Sequence, residues 1–258
     1  MRVLDLFSGI GGFAIAADYL GWSVAAFCDN DPECAALLRK RFPGIPLYAD
    51  IKGFNYEQER DTLGAIDVIV GGFPCQPFSV AGKRRGTSDG RDLWPEMRRV
   101  IAAVGPSWVV CENVANFLPM GFRRTKDDLE NLGYAVRPFI IPACAVGAVH
   151  LRNRVWIVGH RPESPRSDLY GVRRHGGGQS AVPWQPGIQR FQGVGRVEDL
   201  RGRSDIPEPL VCRKNDGVPG GLDRLKLVGN AIVPEIALAI FETIQAVVEL
   251  PDSRTYET

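Results

Sequence analysis

From the amino terminus, short apolar runs alternate with stretches whose apolar residues recur at helical spacing. "RVLDLF" predicts a first strand, and the glycine turn "SGIGG" leads into a helix from about Phe13 to Leu20. "SVAAFCD" predicts a second strand, followed by "PECAALLRKRF", a helix opened by Pro32 near its first turn. "PLYAD" is a short third strand ending at Asp50, while "IDVIVGGF" and "SWVVCENV" are the fourth and fifth. "AVRPFIIPA" and "RVWIVGH" predict a hairpin that closes the sheet. Such alternation predicts an α/β protein built on a doubly wound, mostly parallel sheet.

After His160 the pattern is lost. Residues 161 to about 221 are rich in Gly, Pro, Arg and Gln and carry no helical period of useful length. Between 160 and 214, ten Arg and Lys stand against six Asp and Glu, compared with 21 against 24 elsewhere. Positive charge is therefore concentrated in this segment, although the whole chain carries only +1. The segment is either a solvated linker or a small irregular domain facing a polyanion, and composition favours neither. "PEIALAIFETIQAVVEL" then restores a clean helical period, and "PDSRTYET" reads as a frayed tail.

Composition sets limits on function. A chain of 258 residues, 45% hydrophobic and 24% charged, predicts a globular protein with a substantial core. The small net charge excludes binding by bulk basicity but leaves room for a local basic face. The six cysteines show no C-x-x-C pair and no metal-like spacing with the three histidines. A disulfide framework or zinc site is not expected, and a reducing cytosol is. "MRVLDLFSG" is too short and acidic for a signal peptide, and no apolar run approaches the ~20 residues of a membrane span. The expectation is a soluble, cytoplasmic protein.

The glycine turn poses the first chemical question. A dinucleotide fingerprint is G-x-G-x-x-G, yet Gly9, Gly11 and Gly12 are followed by Phe13 and Ala14. The missing third glycine counts against a nicotinamide-dependent oxidoreductase. Asp29 ends the second strand, where a carboxylate takes ribose hydroxyls, and Asp50 ends the third, where it can accept from an adenine amino group. With Asp5 inside the first strand, this set disfavours a pyrophosphate. It suits an adenosine ligand with no phosphate and a positive centre, which describes S-adenosyl-L-methionine.

"GGFPCQPFSV" poses the second. Pro74 and Pro77 fix their own φ angles and bias Phe73 and Gln76 toward extended geometry, so Cys75 sits in a stiff frame. A core thiol needs no such frame, whereas a nucleophile that must meet one carbon does. Glu112, after "WVVC", lies at the end of the neighbouring strand, and a glutamate there needs a partner. Both residues fall at the carboxyl edge of the sheet, where open α/β folds bind ligands.

These motifs together resemble the cytosine-5 DNA methyltransferase family over nearly the whole chain outside residues 161–212. "DLFSGIGGF" resembles the family's cofactor loop, "PCQPFS" its nucleophile motif and "ENV" its acid motif. "HLRNRVWIVG" resembles the arginine motif Q-x-R-x-R, and "RLKLVGNAIVP" the closing motif that returns to the cofactor site. The resemblance implies a Rossmann-like catalytic domain formed by 1–160 and 222–258, with 161–221 as a small irregular target-recognition domain. It implies a cofactor site of Phe7, Gly9, Gly11, Gly12, Asp29, Asn30, Asp50, Ile51, Pro74, Asn230 and Ala231. It also implies that Cys75, Glu112, Arg152 and Arg154 are catalytic.

The chemistry fits those residue types. C5 of cytosine is a poor nucleophile until a thiolate adds to C6 and turns the ring into an enamine. Arg152 and Arg154 are the expected positive neighbours of the Cys75 thiolate, whose pKa must fall from ~8.5. Arg154 is also a candidate to hold the target nucleotide, and Glu112 is expected to bond the N3/N4 edge. A stacked base is out of reach, so the cytosine must be flipped out of double-stranded DNA. The glycine-rich, basic stretch from Ser79 to Arg91, with Lys83, Arg84 and Arg85, reads as a lid that closes near phosphates.

Three departures from the family pattern stand out. His150 occupies the Gln position, where one comparable hydrogen bond predicts tuning rather than loss of activity. Asn30 replaces a bulkier residue against the adenine, and the segment before the closing motif is short. That short segment leaves open an RNA-methylating member of the family. A catalytically silent DNA-binding regulator is a further alternative, which intact Cys75 and Glu112 oppose. The expected assembly is a monomer, with a restriction endonuclease of the same specificity as a possible partner.

Specificity is expected in 161–221. Gln189, Arg190 and Arg196 can read base edges, Arg on guanine and Gln on adenine, around Trp184 and Phe191. Replacing residues 165–205 with a short Gly/Ser linker should leave S-adenosyl-L-methionine affinity nearly unchanged in calorimetry. Site-selective methylation should vanish, and the salt slope of DNA binding should shrink by about one unit per phosphate contact removed. A truncated protein that still methylates the same site would place recognition elsewhere.

Overall fold

The computed structural model of the chain describes residues 1–74, 92–148, 151–161 and 231–249. Among the described residues, seven strands form one sheet: β1 (Arg2–Leu6), β2 (Ser23–Cys28), β3 (Leu47–Tyr48), β4 (Val68–Gly71), β5 (Trp108–Val114), β6 (Ala135–Ile141) and β7 (Arg154–His160). Their order is β3-β2-β1-β4-β5-β7-β6. β1 to β5 are mutually parallel, whereas β7 runs antiparallel to both β5 and β6. The doubly wound sheet and its closing hairpin are as the sequence predicts. The third strand is shorter than "PLYAD", pairing only Leu47 with Phe27 and Tyr48 with Cys28.

Helices cover both faces. α1 (Gly12–Tyr19) and α2 (Pro32–Arg41) form where the sequence predicts them. Asp31 caps α2 by accepting from the Glu33 and Cys34 amides, and Arg39, Lys40 and Arg41 oppose the dipole at its other end. α3 (Tyr56–Leu63), α4 (Trp94–Val104), α5 (Phe117–Met120) and α6 (Phe122–Asn131) complete one side. Two of these are mostly polar, α3 burying only Tyr56 and Leu63, and α6 only Thr125 and Leu129. The last helix, α7 (Pro234–Glu249), lies against α1 on the opposite face.

Strand alternation assigns side chains to the two cores. Leu4, Leu6, Ile69, Val109 and Cys111 pack with Trp94, Met97, Ile101 and Leu129. Val3, Val68, Val70, Val110 and Trp156 point the other way, onto Phe13, Ile236, Phe241 and Ile244. An aromatic cluster seals α7: the Phe241 ring stacks on Trp22 at 4.8 Å and on Phe13 at 6.2 Å, and Phe13 meets Trp156 edge-on at 5.9 Å. Trp22 also donates from Nε1 to Gln245 Oε1 at 3.0 Å.

Between β1 and β4 the strand order changes direction, and this is where such sheets open a crevice. Gly71 is required at that point, because a Cβ there would lie 2.6 Å from the Leu6 carbonyl oxygen. The backbones of β1 and β4 can approach only without a side chain.

Phe241→Ala should destabilise the fold by about 3–5 kcal/mol in urea unfolding, as for a large aromatic removed from a closed core. A change under about 1 kcal/mol would show that α7 is not part of the cooperative unit.

Candidate active site

The turn after β1 is held in a left-handed conformation. Phe7 has φ 57°, Gly9 φ 55° and Gly11 φ 85°. Ser8 ties the turn to β2, its Oγ donating to the Asp5 carbonyl at 2.7 Å and accepting from the Cys28 amide at 3.2 Å. Asp29 fixes the next step, accepting from the Gly9 amide at 2.6 Å on one oxygen and from the Asp31 amide at 2.9 Å on the other. Gly12 lies under the segment that leads into α7: a Cβ there would sit 2.5 Å from Ile232 Cγ1.

Carboxylates line this side of the edge. Asp5 is fully buried, and neither of its oxygens has a hydrogen-bond partner among the described residues. Burial, reinforced by the charge of Asp29, holds its carboxyl well above the usual range. Asp29 is raised as well, by burial against the lowering effect of its two backbone bonds. Asp50 is exposed and accepts from the Lys52 amide at 3.0 Å. Asn30 and Pro74 are exposed too, whereas the Ile51 side chain is core, so only the Ile51 backbone can face a ligand.

The other side of the edge centres on Glu112. Its side chain is buried on β5, and Arg154 on β7 places Nε 2.8 Å from Glu112 Oε1. Register explains the meeting: Glu112 pairs with Trp156 and Val114 with Arg154, so the two charges are diagonal neighbours on one face. The two side chains form a close, largely buried ion pair. Burial outweighs the nearby positive charges of Arg154 and Arg152 and raises the Glu112 carboxyl to about 7.

Arg152 and Arg154, both expected near the Cys75 thiolate, have different partners among the described residues. Arg152 has φ 30°, and its guanidinium donates to the Ala231 carbonyl at 2.6 Å. Its direct partner is thus the chain entering α7, while Arg154 takes the carboxylate.

Sequence reasoning passes over two residues beside Glu112 and the end of β4. Gly72 gives Glu112 room, since a Cβ there would lie 3.3 Å from Oε2. Asn113 donates from Nδ2 to the Phe73 carbonyl at 3.1 Å, tying β5 to the segment that leads to Cys75. Asn113 stands inside "ENV", but nothing in the motif says that its partner is a backbone oxygen. Cys75, Ser79, Lys83, Arg84, Arg85, His150, Gln189, Arg190, Arg196 and Asn230 lie outside the described residues, as does 162–221. No helix among the described residues is long and apolar enough to cross a membrane.

Residues 1–185 match the family model described as C-5 cytosine-specific DNA methylase. The chain is 28% identical over 231 residues to the Type II methyltransferase M2.BsuMI of Bacillus subtilis, covering 84% of this chain and 58% of that one. It is 32% identical over 239 residues to the Type II methyltransferase M1.HphI of Haemophilus parahaemolyticus, covering 81% and 64%. The fold is similar to that of DNMT2 from Spodoptera frugiperda, with a TM-score of 0.54 at 23% identity over 64% of this chain and 51% of that chain. The chain spans less than two thirds of the length of each of these proteins.

The raised carboxyl of Glu112 has a measurable consequence. Its ordinary value is 4.5 and its folded value about 7, so the native state holds an extra proton between those two pH values. Its contribution is fully present below the lower value and is lost as pH rises to the upper one, by at most roughly 3 kcal/mol. Urea unfolding from pH 4.5 to 8 should show a steeper fall in stability for the wild type than for Glu112→Gln. Asp5 and Asp29 act alike in both proteins, so the difference isolates Glu112. Parallel curves would mean that its carboxyl is not raised.

Proposed function

The chain belongs to the C-5 cytosine-specific DNA methylase family, and we propose that it transfers a methyl group from S-adenosyl-L-methionine to C5 of cytosine in a specific double-stranded DNA sequence. In this reading Cys75 adds to C6 of a base flipped out of the duplex. The observation that carries it is the buried Glu112. Its carboxyl lies against Gly72, three residues before Cys75, and is poised near neutrality beside Arg154.

The residues at the crevice fit the cofactor. The Gly9 amide, which would cradle a phosphate in a dinucleotide site, is already taken by Asp29. What remains facing the crevice is acidic and suits an adenosine bearing a cationic centre and an amino group. Gly9, Gly11 and Gly12 would admit its close approach, Asp29 would take the ribose, and Asp50 the adenine amino group. Phe7, Asn30, the Ile51 backbone, Pro74, Asn230 and Ala231 would complete the walls. When bound, the cofactor supplies an electrophilic methyl group.

The chain's own residues do the rest. The Cys75 thiolate forms a bond to C6, and the C5–C6 electron pair becomes available at C5. Glu112, able to hold or release a proton near pH 7, bonds the N3 and N4 edge and stabilises the charge that develops there. Arg154 keeps that carboxylate oriented, and Arg152 anchors the closing segment beside it. Loss of the C5 proton after substitution restores the double bond and expels the sulfur. Residues 1–160 and 222–258 form the catalytic domain, and 161–221 the recognition domain, with Gln189, Arg190 and Arg196 facing bases. Ser79, Lys83, Arg84 and Arg85 meet the backbone of the DNA. The setting is a cytoplasmic, DNA-bound monomer, with an endonuclease of the same specificity as the natural counterpart.

Cys75→Ala should abolish methyl transfer while leaving cofactor and DNA binding largely intact, because little volume is removed. A duplex carrying 5-fluorocytosine at the target should trap the wild type in a stable adduct, since fluorine cannot leave as the proton does. Methylation without any adduct would sink the covalent route. Glu112→Gln should slow transfer by about 10²-fold or more.

A further inference from the structure

One arginine outside every motif holds the part of the crevice assigned to adenine. Arg99 lies on α4, and its guanidinium spans the turn after Asp50. Nη2 donates to the Ile51 carbonyl at 2.7 Å and Nη1 to the Phe54 carbonyl at 3.0 Å. Nε is paired with Glu96 Oε2 at 2.8 Å, one turn back on the same helix. All three nitrogens of the fork are therefore committed, two to backbone oxygens 48 and 45 residues away in sequence.

The turn needs such a support. β3, which delivers it, is a two-residue edge strand and can do little to fix the backbone beyond its own end. The turn closes on itself through Gly53 N to Asp50 O at 3.2 Å and Phe54 N to Ile51 O at 3.2 Å. Ile51 and Phe54 sink their side chains into the core, and Asp50, just beyond the end of β3, is left exposed. Its position relative to β1 and β2 then depends on what grips the turn from outside. A guanidinium can bridge two carbonyls in one plane, and an ammonium cannot.

We propose that Arg99 is a positioning residue for adenine recognition: by clamping the Ile51 and Phe54 carbonyls it sets where the Asp50 carboxylate meets the exocyclic amino group. This rests on the reading of the crevice as an S-adenosyl-L-methionine site. Arg99 touches neither cofactor nor substrate, and its effect passes through the turn. A merely structural arginine would lower the affinity of every ligand equally. A positioning residue instead alters the preference between ligands that differ only at the adenine edge.

The test is calorimetry with S-adenosylhomocysteine and with its deaminated counterpart, S-inosylhomocysteine. The second ligand presents a carbonyl where the first presents an amino group. The wild type should prefer the adenosyl ligand by about 10-fold or more, as expected for a hydrogen bond to a charged group. Arg99→Met should reduce that preference to about 2-fold or less, and Arg99→Lys should restore part of it, since one carbonyl can still be held. Glu96→Gln, which frees the fork without removing it, should shift the preference in the same direction by a smaller factor. It also serves as the readout if Arg99→Met does not fold. A wild-type preference retained in Arg99→Met, or in Glu96→Gln and Arg99→Lys together, would overturn the inference whatever happens to overall affinity. A wild-type protein that binds neither ligand would instead overturn the reading of the crevice, and the inference with it.

Discussion

The candidate site depends on one antiparallel strand in an otherwise parallel neighbourhood. Because β7 runs against β5, Arg154 enters beside Val114 and projects diagonally toward Glu112. A parallel β7 of the same sequence would start at the opposite end of β5 and carry Arg154 to the far edge. The buried carboxyl would then have no cation near it. The hairpin with β6 is thus more than an edge closure, since it brings a charge to the carboxyl end of the sheet. The chain returning to α7 joins that place through Arg152 and the Ala231 carbonyl.

Two opposing effects meet at Glu112, and their balance sets how tightly its carboxyl holds a proton. Burial alone would keep the carboxyl neutral across the physiological range, whereas two full positive charges in good alignment would keep it ionised. Here burial wins, but only to about 7. Breaking a buried pair leaves the survivor uncompensated, so Arg154 and Glu112 are each conditional on the other.

Much of this fold can be read in the sequence, for simple reasons. β1, β4 and β5 are buried on both faces and so appear as apolar runs, and β7 is nearly so. α7 shows its helical period because Ile236, Ala237, Phe241 and Ile244 form one buried stripe, and α1 shows as a largely apolar run. α3 and α6 are mostly charged and polar, α3 burying two residues and α6 relying on Thr125 and Leu129, so no apolar run marks them. The glycine turn, Asp29, Asp50 and Glu112 were legible because their residue types are unusual at strand ends. Gly72, Asn113 and Arg99 were not, because their roles are spatial: room for a neighbour's oxygen, or a grip on a backbone carbonyl far along the chain. Arg152 and Arg154 look equivalent in "RNR", and only the register of β7 and the path into α7 separate them.

The sheet edge as a whole is electrically divided, and the division bears on which thiol can react. On the β1 to β3 side, Cys28 is pushed up to about 12 by burial and by the charges of Asp29, Asp50 and Asp5. Cys111, fully buried in β5, is raised further still by burial alone. Neither can supply a thiolate near neutral pH, although Cys28 lies at a strand end beside the crevice. The field that would welcome a cationic cofactor is the one that suppresses a thiolate there. The positive charge of Arg152 and Arg154 lies on the other side, where β4 ends at Gly71, and the proposed nucleophile follows β4 in sequence there. The segment that leaves β4 through Gly72, Phe73 and Pro74 is held by Asn113 and runs next into Cys75. The acidic patch and the arginine patch stay separate because the strand order switches between β1 and β4, and in the proposed reading the first serves the methyl donor and the second the nucleophile.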